Sequence, residues 1–308
     1  MESYSSLYVI IGTIALITFS YSLKGQTKTV VNKDTTLKEF ISNTSIKGYS
    51  LEQIRSYYKT HSASIKCVLP PSFDCYFKIM HPFKQAVNLT DKLVSEKEFE
   101  NRIPIDYSKS KPFISKEDRS KDSGKLFISV VITNTEGQQI DILEKRQQQI
   151  EWYKKQDWKT ITWKSIANKY EIAYTNQITT TDFTKKFNKV GYPYNISFPE
   201  EGRLPMKEFE KLIKLLSKDT ANKILDVFMR QPKSNTNNFE DAFLCNISDI
   251  AAHFDDGFVG YLSNTKKDWL LFTDSDLQYS IFACNKALAD LLVNDGLEVL
   301  KCKTYTRL

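Results

Sequence analysis

The sequence predicts an α+β fold, with a mixed or largely antiparallel sheet, flanking helices and one hydrophobic helix at the amino terminus. Three observations lead there. The last third of the chain is a series of short apolar runs separated by turn residues. Helical patterns fall among these runs without the regular alternation of a doubly wound sheet. Residues 7–23, LYVIIGTIALITFSYSL, carry no charge.

The amino-terminal segment has two readings. Its most apolar part, Leu7 to Phe19, is short for a membrane span, and extension to Leu23 reaches the lower limit. As a signal peptide it would be cut near Ser20-Tyr21-Ser22 or Lys24-Gly25. The preceding MESYSS holds Glu2 and no basic residue, whereas Lys24, Lys28 and Lys33 follow. That asymmetry favours an uncleaved anchor with the domain in the cytoplasm. The alternative is export to the periplasm or medium. The expected organisation is an anchor or signal over 1–25, a linker over 26–36, and one α+β domain over 37–308 with a charged insertion near 103–124.

Composition narrows the function classes. At 308 residues, 41% hydrophobic and 26% charged, the chain can bury a sizeable core. The net charge of +6 is thinly spread with no dense Lys/Arg block, so nucleic acid is not an expected partner. Cys67, Cys75, Cys245, Cys284 and Cys302 are too few and too scattered for a disulfide scaffold, and no Cys-x-x-Cys or zinc spacing occurs.

In chain order, Leu37–Ile46 reads as a short helix. Ser50-Leu-Glu-Gln53 is a capping box that opens a second, to about His61. Pro70-Pro71 breaks the chain. Phe73–Met80 then alternates Phe73, Cys75, Phe77 and Ile79 with Asp74, Tyr76, Lys78 and Met80, the pattern of a strand with one buried face. Ser95–Arg102 reads as one or two helical turns, Lys125–Thr133 as a strand, and Gln138–Gln156 as an exposed helix. Thr162–Tyr170 is a helix capped by Thr160 or Thr162; Thr179–Asp182 caps another, to about Asn188. Gly191–Gly202 reads as an aromatic and proline loop. Pro205 opens an amphipathic helix with Met206, Phe209, Leu212, Ile213 and Leu216 on one face. Ile224–Met229 is either a strand or a helix continuing from Thr220. Ala242–Ile247, Val259–Leu262, Trp269–Phe272, Tyr279–Cys284 and Leu297–Cys302 read as strands, with a helix over Lys286–Val293. Trp269, Leu271, Phe282, Leu288 and Leu291 are expected in one core.

Chemistry is sparse. No Gly-x-Ser-x-Gly, Walker loop, dinucleotide fingerprint or His-Glu-x-x-His is present, and ten glycines leave little for a phosphate-cradling loop. Cys75 and His81, six apart, are not expected to form a catalytic dyad. His253-Phe-Asp-Asp256 offers hard-metal ligands, but the aspartates precede Gly257 and read better as a turn. Asp274-Ser275-Asp276, between two strands, is likewise a turn, because Asx side chains bond their own backbone. No catalytic residue, metal ligand or cofactor is therefore expected. Asp274, Asp276, Trp269, His81 and Trp163 remain as binding candidates.

The order of segments resembles a group of uncharacterised bacterial proteins. The residues that carry it are Pro70-Pro71-Ser72-Phe73 through Tyr76 to His81-Pro82, Thr162-Trp163-Lys164-Ser165-Ile166-Ala167, and Pro199-Glu200-Glu201-Gly202-Arg203-Leu204-Pro205. Trp269 to Asp295 and Leu297-Glu298 complete it. The chain departs from that pattern in its hydrophobic amino terminus and in Ala283-Cys284, where a glycine pair belongs. The group has no assigned reaction. The strand–acidic turn–strand–helix ending also resembles immunity proteins of bacterial toxin systems, including SUKH-type folds. The missing catalytic constellation, with 16 tyrosines, 19 phenylalanines and 4 tryptophans to anchor an interface, predicts a non-enzymatic protein-interaction domain tethered at a membrane by Leu7 to Leu23, and the second resemblance implies an immunity-like form of it. The alternative is an exported, hydrolase-like enzyme using Asp274, Asp276, His81 or His253. A histidine beside the Asp274–Asp276 turn would favour the enzyme.

Overall fold

The computed structural model describes residues 64–106, 131–133, 139–219, 223–230, 240–254, 257–274, 276–294 and 296–308. The hydrophobic segment, the linker, the two helices expected before residue 62 and most of the charged insertion lie outside these residues. No helix among the described residues is long and apolar enough to cross a membrane.

The chain runs α1 (Ile65–Val68), β1 (Cys75–Met80), β2 (Phe83–Ala86), β3 (Leu93–Val94), α2 (Glu96–Glu100), β4 (Val131–Thr133) and β5 (Gln139–Asp141). It continues with α3 (Ile142–Lys154), β6 (Trp158–Ile161), α4 (Trp163–Lys169), α5 (Thr180–Val190), β7 (Tyr192–Pro193), β8 (Ile196–Ser197) and α6 (Met206–Asp219). It ends with β9 (Ile224–Arg230), β10 (Glu240–Asn246), a 3₁₀ turn (Ile250–His253), β11 (Gly260–Asn264), β12 (Trp269–Thr273), β13 (Tyr279–Cys284), α7 (Lys286–Asn294) and β14 (Val299–Cys302). The fold is thus α+β. The sequence reads as one domain from residue 37, whereas backbone contacts group the chain into two compact units. Among described residues the larger holds 64–83, 162–182 and 198–308, and the smaller holds the rest.

The larger unit is built on a seven-stranded sheet in the order β10-β9-β11-β12-β13-β1-β14. All six pairings are antiparallel. Opposed residues share a face. One face presents Phe77, Ile79, Phe282, Leu271, Trp269, Leu262 and Val227. These form one core with Phe209, Leu212 and Leu216 of α6 and Leu288 and Leu292 of α7. Pro205 stands at the N-cap of α6, one residue before the first helical position expected for it, with the Phe209 N–H bonded to its carbonyl at 2.9 Å. Pairing on both sides makes Ile224–Arg230 a strand, a tertiary choice that periodicity alone could not make.

Two expectations are corrected. Every residue of β1 is buried, so the strand does not have a single buried face. The second face is covered too: Tyr76 donates its phenol to the Pro70 carbonyl at 2.5 Å, and Tyr261 to the Val68 carbonyl at 3.3 Å. The chain from α1 to the Pro-Pro break therefore lies over it. Leu291 is 46% exposed and outside the core, because Leu288, Ala289 and Leu292 supply the buried stripe of α7. Leu292→Ala is accordingly expected to cost about 2–5 kcal/mol in urea denaturation. Leu291→Ala should stay within about 0.5 kcal/mol. Equal effects would mean that the helix face is misassigned.

In the smaller unit β6-β2-β8 form one sheet, and β3-β7 and β4-β5 pair separately. The expected loop after Gly191 contains β7 and β8, and the helix expected from Gln138 begins only at Ile142. Phe187 and Phe99 flank Tyr192, with ring centroids 5.7 and 5.0 Å away. The Trp152, Tyr153 and Trp158 rings form a second aromatic group.

Candidate functional site

Within the larger unit the segments that carry the family resemblance converge on His81. This residue follows β1, and its N–H donates to the Gln278 carbonyl at 3.1 Å. The ring lies 2.9 Å from the Glu200 carbonyl at Nδ1 and 3.0 Å from Ser280 Oγ at Nε2. Thr273 donates its hydroxyl to Ser280 Oγ at 2.7 Å. One arrangement of protons satisfies the whole chain: Thr273 to Ser280, Ser280 to Nε2, and Nδ1–H to Glu200. The imidazole is then neutral. Burial pushes its pKa down to about 4, against a weaker upward pull from Glu200.

Trp163 closes the other side. Its indole N–H donates to the His81 carbonyl at 2.6 Å, and its ring meets Phe83 edge-on at 5.2 Å. Glu298 caps α4, accepting the N–H groups of Trp163 at 2.7 Å and Lys164 at 2.8 Å. The same carboxylate takes the Tyr174 hydroxyl at 2.8 Å. Burial first, and then Glu298, hold that phenol well above its usual pKa. Thr162 completes the cap by accepting the Ser165 N–H at 3.1 Å.

The acidic turn adjoins this cluster. Asp274 accepts the Asp276 N–H at 3.3 Å through Oδ1, and its carbonyl accepts the Leu277 N–H at 3.2 Å. That is Asx-turn geometry. Gln278 donates to Glu201, and the Gly202 N–H bonds to the Leu277 carbonyl at 3.1 Å. The turn, the Glu-Gly-x-Leu-Pro element and His81 are thus drawn together. Gly257 permits the next contact, since a Cβ there would lie 2.3 Å from the Leu204 carbonyl oxygen.

A serine hydroxyl 3.0 Å from an imidazole is the spacing of a nucleophile–base pair. Here both side chains are 0% exposed, and Ser280 sits within β13. Both ring nitrogens are committed, and the third partner is a carbonyl rather than a carboxylate. The arrangement pins the 200–204 segment to the sheet and leaves no approach for a substrate carbonyl. A histidine beside the turn is therefore present, but walled in. Expected in an NMR titration, the His81 ring protons stay at their neutral positions through pH 6.5 and move only near pH 4. The unfolded chain takes up this proton first, so stability falls as pH drops from about 6.5 to 4, by roughly 3 kcal/mol from this group. A midpoint near 6.5 would show the ring to be exposed.

The other candidates are placed as follows. Trp269 is a core residue of β12, 5.9 Å from the Phe282 ring, with its buried indole N–H lacking a hydrogen-bond partner. His253 lies half-buried on the 3₁₀ turn, and Asp255 and Asp256 are outside the described residues. Among the described residues no group of three or more His, Cys, Asp or Glu could hold a metal. Cys75, Cys245, Cys284 and Cys302 are not in disulfides.

Sequence reasoning missed Lys78. It is 0% exposed on β1, and its ammonium has no hydrogen-bond partner. It lies 4.2 Å above the Tyr279 ring. Burial pushes its pKa down to about 8, against smaller opposing pulls from Cys302 and Asp182. Its place between Tyr76 and Met80 on one face was the available signal.

An open feature of this unit lies along α7. Lys286, Ala289, Asp290 and Val293 fall at i, i+3, i+4 and i+7, a single helical stripe. With Val299 and Lys301 of β14 they wall a groove of about 750 Å³ floored by Cys75 and Phe77. Val293 is 58% exposed. Its rim carries both signs, Asp74 and Asp290 with Lys286 and Lys301. No family model matches the chain, and neither the curated proteins nor the solved structures contain a match.

Proposed function

We propose that this chain is a non-enzymatic protein-interaction domain held at a membrane, and that the α7–β14 groove receives an extended segment of its protein partner. The groove is the single observation that carries the reading. It pairs an apolar floor with an exposed valine and a rim of both charge signs, beside an edge strand. That suits a peptide with apolar side chains and mixed charge. The fully satisfied, buried state of the His81–Ser280 chain argues against the hydrolase-like alternative. The 3.0 Å contact is the one observation in that alternative's favour. An immunity-like role is a narrower form of the binding reading and rests on the resemblance alone.

The membrane part rests on the sequence of Leu7–Leu23 and the lysines after it. The test is isolation of the full-length chain from its own cells as wild type, Val293→Asp, Lys301→Glu and Ser280→Ala. A protein retained by the wild type and by folded Ser280→Ala, but lost from both groove variants, supports the reading. Equal retention by all four removes the groove from it. For the anchor, the chain should sediment with membranes and keep Met1 to Gly25. A mature protein beginning near Leu23 or Gln26 would establish export instead.

A further inference from the structure

The smaller unit has a pocket of its own, of about 600 Å³, between α2, the residues that follow it and Trp152 of α3. Its chemistry is that of a guanidinium with a spare donor. Arg102 lies 3.7 Å over the Phe99 ring and donates through Nη1 to the Phe99 carbonyl at 3.2 Å. Its Nε is shielded from solvent and has no hydrogen-bond partner. Burial lowers its pKa, and the groups that pull it back up are two phenols, Tyr153, which also hydrogen-bonds the guanidinium, and Tyr194. Lys97 also lines the pocket and is exposed. The one acid on the wall, Glu98, is held by Lys92 at 2.8 Å. Trp152 and Tyr194 supply aromatic walls.

We propose that this pocket binds a carboxylate carried on a flat, apolar body: an aromatic carboxylate. The planar guanidinium matches a carboxylate through paired N–H groups, which Lys cannot reproduce. Lys97 adds a second, exposed charge at the mouth. The indole and phenol rings offer faces on which an aromatic ring stacks. A phosphate, with three acceptor oxygens and nearly two charges, needs more donors than these two side chains leave. The site is independent of the α7–β14 groove.

The experiment is calorimetric titration of the full chain with N-acetylphenylalanine, with its amide as the uncharged twin and inorganic phosphate as a competitor. Saturable binding of the acid is expected, weaker by about tenfold or more for the amide and for Arg102→Lys, since the fork and not the charge alone is recognised. Lys97→Gln, an exposed change that leaves the fold alone, should weaken binding by a few-fold, roughly the worth of one exposed ion pair. Circular dichroism identifies any Arg102 variant that misfolds, in which case the amide and Lys97→Gln carry the test. Equal binding of acid and amide, displacement by an equal concentration of phosphate, or no saturation by about 10 mM, a free energy near the millimolar limit, each overturns the proposal.

Discussion

Trp163→Ala is expected to lower the unfolding free energy of the larger unit by about 3–5 kcal/mol, the range for removing a large aromatic from a packed interior. The side chain is fully buried and edge-on to Phe83. Its loss opens a cavity and also strands the His81 carbonyl, which the indole N–H satisfies at 2.6 Å. A buried carbonyl without a donor costs about 1–3 kcal/mol, and the two effects overlap rather than add. Trp163→Phe separates them. It keeps most of the apolar volume and loses the N–H, so it should cost about 1–3 kcal/mol. Urea denaturation followed by circular dichroism reads both. A loss below about 1 kcal/mol for the alanine variant would mean that the His81 cluster does not hold the sheet to the 200–204 segment.

Lys78→Met is expected to act in the opposite direction and raise stability at pH 7 by about 1–4 kcal/mol. The native chain keeps an ammonium at 0% exposure with the Tyr279 ring as its nearest compensation. Methionine preserves the unbranched stem and removes the charge. The pH dependence identifies the cause. Burial pushes the Lys78 pKa down to about 8, while the unfolded chain holds its proton to about 10.5. Below pH 8 both states are protonated and the penalty is fully present. Between 8 and 10.5 the unfolded state binds more protons, so native stability rises with pH, by roughly 3 kcal/mol from this group. The methionine variant lacks that rise, and its advantage should shrink across the same window. Tyr279 and Cys302, both raised by burial, titrate in the contrary sense; both remain in the variant, where Cys302 also loses the downward pull of the Lys78 ammonium. A constant difference from pH 7 to 10.5 would place Lys78 in water.

Much of the larger unit was legible from local pattern. The α6 stripe, the Pro205 start, the Thr162 cap and the run of strands from Ala242 onward all follow from periodicity and turn chemistry, and each appears within a few residues of its expected place. What local pattern could not supply was the second layer over the sheet. A strand that alternates charged and apolar residues reads as half-exposed, and nothing in its own pattern shows that the chain from α1 to Pro70 lies over the face that carries Tyr76 and Lys78. Leu291 was misread for a similar reason. Three leucines and two alanines on α7 offer more apolar surface than one sheet face can cover, and only the packing selects Leu288 and Leu292. The candidate residues show the same division. His81, Trp163 and the Asp274 turn were each visible as isolated signals. Their meeting at Ser280 and Glu298 rests on pairing between residues more than 130 positions apart, which no spacing rule encodes.

The claim that the α7–β14 groove is the binding face is tested most directly by a photoreactive residue at position 293 of the full-length chain, activated in the cells that make it. The account predicts one discrete protein adduct at that position, sharply reduced when Lys301→Glu is added and kept with Ser280→Ala. An adduct unaffected by Lys301→Glu, or none at 293 while the same probe at an exposed site elsewhere on the sheet gives one, would contradict it.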